Sequence, residues 1–266
     1  MASATAVRRD LEAGDPVARQ GVAIADGLPP IRYEVCGIEG APAIVVLGGI
    51  SASRHVARNR VNPDPGWWDG VVGARRAIDT ERFSVIGIDY ATSLRRDTDG
   101  ASTARTVTTF DQARAVVAAL DALNVRSARA IVGASYGGMV ALAFAARHGA
   151  RVQRIVVIGA AHESDPMTTT LRSIQRRIVT LAEIAGVESE GVALARALAM
   201  TTYRTRAELA SRFSMTPRQT DDGVTFPAEE YVIARGRDYA KRTTTSDFRA
   251  LTLSCDLHAV VPEEIT

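Results

Sequence analysis

Four short, mostly apolar runs punctuate the first 160 residues: Ile44-Val45-Val46-Leu47, Phe83 to Tyr90 (FSVIGIDY), Ala128 to Ala134 (ARAIVGA) and Ile155 to Ile158 (IVVI). Runs this short, bounded by turn residues such as Gly48-Gly49, predict strands of a parallel sheet buried on both faces. Between the second and third runs, Phe110 to Asn124 sets Ala113, Val116, Val117, Leu120 and Leu123 at helical spacing, with Asp111 near the positive N-terminal end. A small-residue helix over Gly137 to His148 follows the third run. Alternating strands and helices predict an α/β domain with a mostly parallel sheet. From Pro166 the pattern changes to helical periodicity without a strong strand. Leu171, Ile174, Ile178 and Leu181 are expected to share one face, and Ala193, Leu194, Ala197 and Leu198 another, with a polar break over Thr216 to Thr225. Val260-Val261-Pro262 through Ile265-Thr266 predict a return toward a strand. The expected organisation is an α/β core over 1–165, a helical insertion over 166–258 and the start of a return to the core over 259–266. No internal repeat or low-complexity segment interrupts it.

Composition narrows the function classes. The 266 residues are 46% hydrophobic and 23% charged, enough apolar material for one large domain or a domain with an inserted cap. The net charge of +2, without blocks of like charge, gives no reason to expect nucleic acid or an anionic membrane as partner. Lys241 is the sole lysine, a compositional bias to which no function is given. Cys36 and Cys255 are far apart, have no metal-ligand spacing and form no disulfide framework, which suits a reducing cytosol. Residues 1–20 carry Arg8, Arg9, Asp10 and Glu12 and no continuous apolar stretch, so no signal peptide is expected. The longest apolar runs, about 6–9 residues, fall far short of the roughly 20 that span a bilayer. The expectation is a soluble, cytoplasmic protein.

The sharpest local feature is Gly133-Ala134-Ser135-Tyr136-Gly137, a G-x-S-x-G between a predicted strand and a predicted helix. That setting suits a nucleophile elbow, in which a tight turn lifts the serine hydroxyl above the sheet and small neighbours let the chain pack around it. The Tyr136 amide, at the helix N-terminus, could face a developing oxyanion. A second donor is expected from the loop after an earlier strand, and Gly49 or Ile50 in Leu47-Gly48-Gly49-Ile50-Ser51 stands in that place. The competing readings are a glycine-rich turn with a capping serine and an ordinary Gly-Gly turn.

Together with the elbow, several longer stretches resemble the homoserine O-acyltransferases of the α/β-hydrolase fold, closest to the homoserine O-succinyltransferase branch. They are LGGISASRHV (Leu47 to Val56), GWWDGVVGARRAIDTERF (Gly66 to Phe83), GASYGGMVALAFAARHGARV (Gly133 to Val152), SIQRRIV (Ser173 to Val179), AMTTYRTRAELASRF (Ala199 to Phe213) and YVIARGRDYAKR (Tyr231 to Arg242), with LTLSCDLHAVVPEEI (Leu251 to Ile265) fitting more loosely. The resemblance implies an α/β-hydrolase core with a helical lid over a tunnel. Ser135 would take an acyl group from acyl-CoA and pass it to the hydroxyl of L-homoserine, in methionine biosynthesis. A tunnel would protect the acyl-enzyme from hydrolysis. The resemblance also places a lid arginine in the tunnel. Arg176 is the best match and Arg177 is adjacent; a guanidinium there could hold the substrate carboxylate bidentately. The competing reading makes Arg172, Arg176 and Arg177 a solvated helix face. The resemblance implies succinyl rather than acetyl as the acyl group, a homodimer, acyl-CoA as co-substrate, and no bound cofactor; no metal constellation is visible.

Two departures stand out. Tyr90 to Ser102 (YATSLRRDTDGAS) replaces a glycine-rich loop. The acid and base of the family's triad lie beyond the lid, past residue 266, so neither role is carried over to a residue here. Of the four histidines, His55 is expected to be structural or to line the site, and His148 to favour the negative end of its helix. His162 lies at the sheet's C-terminal edge, where it could substitute as base, and His258 with Asp256 is read as structural rather than as a replacement dyad. A serine without a base is a weak nucleophile. The alternative readings are therefore a catalytically incomplete or non-catalytic relative, a serine O-acyltransferase, and an esterase on the same fold.

Overall fold

The computed structural model describes residues 16–94, 106–221 and 223–265. The N-terminal residues 1–15, most of the Tyr90 to Ser102 loop and Thr266 lie outside the described residues. The chain divides into two units, one of residues 1–101, 109–162 and 260–266, the other of residues 102–108 and 163–259.

The first unit holds β1 (Pro16–Ala23), β2 (Ile31–Ile38), β3 (Ala43–Leu47), a short parallel pair β4 (Val72–Gly73) and β5 (Ile78–Asp79), β6 (Ser84–Ile88), α1 (Thr109–Ala122), β7 (Ala130–Ala134), α2 (Tyr136–His148) and β8 (Ile155–Ile158). The main sheet has the order β1-β2-β6-β3-β7-β8. The pairs β6–β3, β3–β7 and β7–β8 are parallel, whereas β1 and β2 join antiparallel at one edge. Every side chain of β3 is buried, as its unbroken apolar run requires. In α1 the stripe Ala113, Val116 and Leu120 is fully buried. After β3 the chain moves to β6 on one side, and β7 then pairs on the other. The sheet therefore has its switch point at β3 and β7, and ligands of open α/β sheets bind at the C-terminal ends of such strands.

Two expectations for this unit need correction. β1 and β2 lie outside the predicted strands, because Arg19, Gln20, Arg32 and Glu34 break the apolar pattern. β8 was expected to be buried on both faces, but it is an edge strand with alternating burial, and Val156 and Ile158 are 44% and 46% exposed.

The second unit holds α3 (Pro166–Ala185), α4 (Glu188–Met200), α5 (Arg206–Arg212), β9 (Arg218–Thr220), β10 (Gly223–Thr225), α6 (Pro227–Ala240) and α7 (Thr245–Asp256). Asp165 caps α3, accepting from the Met167 and Thr168 amides, and Thr244 with Asp247 forms a capping box on α7. Its core joins Val179, Val192, Ala195, Tyr239 and Phe248. The helices approach closely through small residues. A Cβ on Gly191 would lie 2.2 Å from that of Ala182, and one on Gly236 would lie 2.2 Å from the Ala193 carbonyl oxygen. This close packing turns small residues inward and leaves much of the expected apolar faces outward, although Ile178 still packs against the core. α3 buries Gln175, Val179 and Ala182, while Ile174 is exposed and Leu181 is 67% exposed. On α4, Ala193 and Ala197 are buried and Leu194 is exposed. The polar break over 216–225 is the hairpin β9–β10. The expected strand after residue 259 is, among the described residues, a single bridge between Glu163 and Ala259 followed by a 3-10 turn at Pro262–Glu264. No helix of the described residues is long and apolar enough to cross a membrane.

Candidate active site

Ser135 sits at the turn from β7 into α2 with φ 55° and ψ −121°, a backbone region that side-chain-bearing residues rarely adopt. The flanking glycines make the turn sterically feasible. A Cβ on Gly133 would come within 2.1 Å of the Gly137 carbonyl oxygen, and one on Gly137 within 2.2 Å of the Leu47 carbonyl oxygen. The Ser135 amide still donates to Ile158 O across the sheet at 2.8 Å, while its carbonyl accepts from the Gly138 amide at 2.8 Å. The elbow is therefore pinned at both ends. Ser135 is exposed and its neighbour Tyr136 is buried. The Ser135 hydroxyl does not cap α2, and among the described residues it has no hydrogen-bonded base.

The end of β3 comes up beside it. A Cβ built on Gly49 would lie 3.8 Å from Ser135 Cβ and 3.9 Å from its Oγ. The carbonyls of this loop are committed elsewhere. Gly48 O accepts from the Gly137 amide at 2.9 Å and from the Tyr90 hydroxyl at 2.6 Å, and Gly49 O accepts from the Ala52 amide at 2.9 Å. In a trans peptide the N–H points opposite to the carbonyl. The amides of Gly49 and Ile50 therefore point away from these partners, and neither has an acceptor among the described residues. The structure thus brings Ser135, Tyr136 and Gly49 together, with Ile50 next in the same turn.

His55 belongs to a separate polar cluster in the same unit. Its Nδ1 lies 2.6 Å from Glu34 Oε1 and its Nε2 lies 2.9 Å from the Asp64 carbonyl oxygen. Buried Glu34 also accepts from Gln20 Nε2 and Asn59 Nδ2, each at 2.7 Å. Burial alone would raise the Glu34 pKa, but the donors His55, Gln20 and Asn59 outweigh it and hold the carboxyl below its ordinary value. Burial likewise acts to lower the His55 pKa; Glu34 and the Asp64 carbonyl override it, and the net shift is upward. Both ring nitrogens face acceptors, so the imidazolium satisfies both. A raised folded-state pKa makes this stabilisation complete below the unfolded value of about 6.5, and it is lost as pH rises through the folded pKa. At about 1 kcal/mol for the affected hydrogen bond, the melting temperature should fall about 2–4 °C across that alkaline range. His55→Gln should abolish that part of the pH dependence in thermal unfolding. An unchanged pH profile in the variant would show that the cluster does not titrate there.

The other histidines are distributed more widely. His148 ends α2, and burial, reinforced by Arg151 and Arg114, lowers its pKa instead of favouring the cation. His162 is exposed just after β8, and His258 is buried in the helical unit. Both cysteine thiols are pushed up to about 12, chiefly by burial, so neither is an activated nucleophile.

In the helical unit, Arg176 and Arg177 separate clearly. Arg177 is exposed, with no ion pair among the described residues. Arg176 and Arg172 are only 19% and 17% exposed, which excludes the solvated-face reading for these two. They share Asp256, with Arg172 Nε at 2.5 Å from Oδ1 and Arg176 Nη2 at 2.7 Å from Oδ2. Arg172 also donates to Ser164 Oγ, and to Thr168 Oγ1 at 3.2 Å. Arg176 Nη1 is buried with no hydrogen-bond partner. Two cations on one anion leave a local charge of one positive unit. Asp256 is thus committed to arginines, in keeping with a structural role.

A mostly parallel sheet with a serine elbow at its switch point defines an α/β-hydrolase fold, and the model of that family matches residues 42–251. The sequence is 40% identical over 235 residues to a homoserine O-succinyltransferase of Xanthomonas campestris pv. campestris, covering 88% of this chain and 62% of that protein. It is 31% identical to a serine O-succinyltransferase of Litchfieldella anticariensis, covering 85% of this chain and 70% of the other. Among solved structures, esterase E22 superposes with a TM-score of 0.76 at 20% identity, over 94% of this chain and 82% of that one. The chain belongs to the α/β-hydrolase family, in the branch of the homoserine and serine O-acyltransferases, and spans somewhat under two thirds of the length of the Xanthomonas relative.

Proposed function

We propose that this chain is a homoserine O-acyltransferase that moves an acyl group from an acyl-CoA, succinyl rather than acetyl, through an acyl-enzyme on Ser135. The carrying observation is the strained, exposed Ser135 beside two uncommitted amides, Gly49 and Ile50. In the first step Ser135 Oγ bonds to the thioester carbonyl carbon. The carbonyl electron pair moves onto oxygen, held by the Tyr136 amide and by that of Gly49 or Ile50. Collapse restores the carbonyl, breaks the carbon–sulfur bond and sends the serine proton to the departing coenzyme A sulfur. The homoserine hydroxyl oxygen then bonds to the acyl carbon, the ester bond to Ser135 Oγ breaks, and the homoserine hydroxyl proton passes to Ser135 Oγ. The family resemblance supports Arg176 for the substrate carboxylate, with exposed Arg177 as the alternative.

Succinyl transfer is supported by the names of the two relatives described above, and homoserine by the higher identity of the first. The likeness to the second relative keeps serine as the competing acceptor. The esterase likeness, at 20% identity, speaks for the fold alone. A cytoplasmic setting and a homodimer accord with this reading. The test is intact-mass spectrometry of the chain after incubation with succinyl-CoA or acetyl-CoA, then chase with L-homoserine or L-serine. The expected result is a succinyl adduct mapped to Ser135 and discharged faster by homoserine. No adduct would identify a non-catalytic relative, and discharge by water alone would identify an esterase.

A further inference from the structure

We infer that Tyr90 is a positioning residue that sets the oxyanion site, through both of the amide donors that flank Ser135. This rests on the reading of Ser135 as the nucleophile.

The loop that carries the Gly49 amide begins with two adjacent glycines, the residues with the most backbone freedom to lose. A donor aimed at a developing charge helps only if it is held in place beforehand. At this loop the anchor is one carbonyl. Gly48 O receives the Tyr90 hydroxyl at 2.6 Å and the Gly137 amide at 2.9 Å, which occupies both of its lone pairs. Because the peptide is planar, fixing that carbonyl fixes the Gly49 N–H on its opposite edge. The Gly137 bond ties the loop to α2, and the Tyr90 bond ties it to the far end of β6. Gly48 itself cannot shift to take a side chain, since a Cβ there would lie 2.4 Å from that of Ala52.

The same tyrosine also braces the other donor. Its ring meets the Tyr136 ring edge-on, with centroids 4.9 Å apart and planes at 76°. The phenol can do both tasks because its own backbone is clamped on either side. Asp89 accepts from the Arg54 amide at 2.8 Å and from its guanidinium at 2.7 Å, and pairs with Arg32 at 2.9 Å. Ala91 exchanges two hydrogen bonds with the buried Gln112 amide, at 3.0 and 2.7 Å. Tyr90 therefore reaches the Gly48 carbonyl and the Tyr136 ring from a rigid base.

The test uses the full chain and two readouts. A fluorophosphonate labels an activated serine when Oγ displaces fluoride from phosphorus, so its rate reads oxyanion support without any acyl-CoA. Steady-state turnover of succinyl-CoA with L-homoserine supplies kcat and KM. Tyr90→Phe keeps the ring contact and removes only the hydroxyl. The expected result is a labelling rate and kcat each about 3–10-fold lower, the effect of one neutral hydrogen bond, with KM unchanged. Its melting temperature should fall by about 2–4 °C, the cost of that one hydrogen bond, whereas a merely structural role would cost stability without slowing the labelling of the folded protein. Tyr90→Leu, which also loses the ring contact, should label more slowly still. Wild-type labelling rates in Tyr90→Phe would overturn the inference and leave Ser135 standing. No labelling of the unsubstituted chain would overturn both. Slower labelling of Tyr90→Phe without succinyl turnover would support Tyr90 and overturn the assigned substrate.

Discussion

Ser135→Gly is expected to abolish the acyl-enzyme and at the same time raise the melting temperature by about 2–6 °C. The two effects have one origin. At φ 55° and ψ −121°, Ser135 holds a conformation that costs a residue with a Cβ about 1–3 kcal/mol. Glycine adopts it without that strain and gives back about 0.5–1 kcal/mol through the greater freedom of its unfolded chain. The balance favours the variant, because the surroundings of the elbow are already built for an absent side chain at Gly133 and Gly137. Ser135→Ala separates the effects. It keeps the Cβ and the strain, so its melting temperature should match the wild type, while covalent turnover falls by about four orders of magnitude or more. Differential scanning calorimetry and intact-mass spectrometry on the three proteins decide the matter. A glycine variant that melts lower would show that the turn is not strained. An alanine variant that still forms the adduct would move the nucleophile elsewhere.

The elbow was legible in the sequence because its constraint is local. Gly133, Ser135 and Gly137 lie within five residues, and the sterics that require the glycines act across the turn itself. The buried strands β3 and β7 were legible for a similar reason, since a strand covered on both faces needs an unbroken apolar run. What escaped depends on partners distant along the chain. Tyr90 finds Gly48 across 42 positions, and Arg172 finds Asp256 across 84. β2 was hidden because Glu34 looks like a surface residue until His55, Gln20 and Asn59 supply its hydrogen bonds. The seam of α3 is not legible from its large apolar side chains. Against Gly191 there is room only for small residues, so Ala182 turns inward and Leu181 outward.

Asp256→Asn should cost about 2–4 kcal/mol of stability, a far larger effect than losing either arginine that it binds. Asp256 is only 7% exposed, and it is the shared partner of two guanidiniums that are themselves mostly buried. Removing the partner of a buried charge typically costs about 3–5 kcal/mol, and the residual exposure of the arginines trims that figure. The asymmetry follows from the charge count. Without Asp256, Arg172 and Arg176 confront one another as two uncompensated cations. Arg172→Gln instead leaves a neutral pair between Arg176 and Asp256. Combining the two changes should therefore recover part of the loss, a coupling that a double-mutant cycle in urea measures directly. The arrangement also decides what Asp256 is for. As the acid of a dyad with His258, its replacement by asparagine would spare stability and depress kcat. As the anchor of the arginine pair, its replacement should lower the unfolding midpoint while leaving fluorophosphonate labelling of Ser135 at its normal rate. Strict additivity in the cycle, or a loss confined to kcat, would contradict the anchoring role.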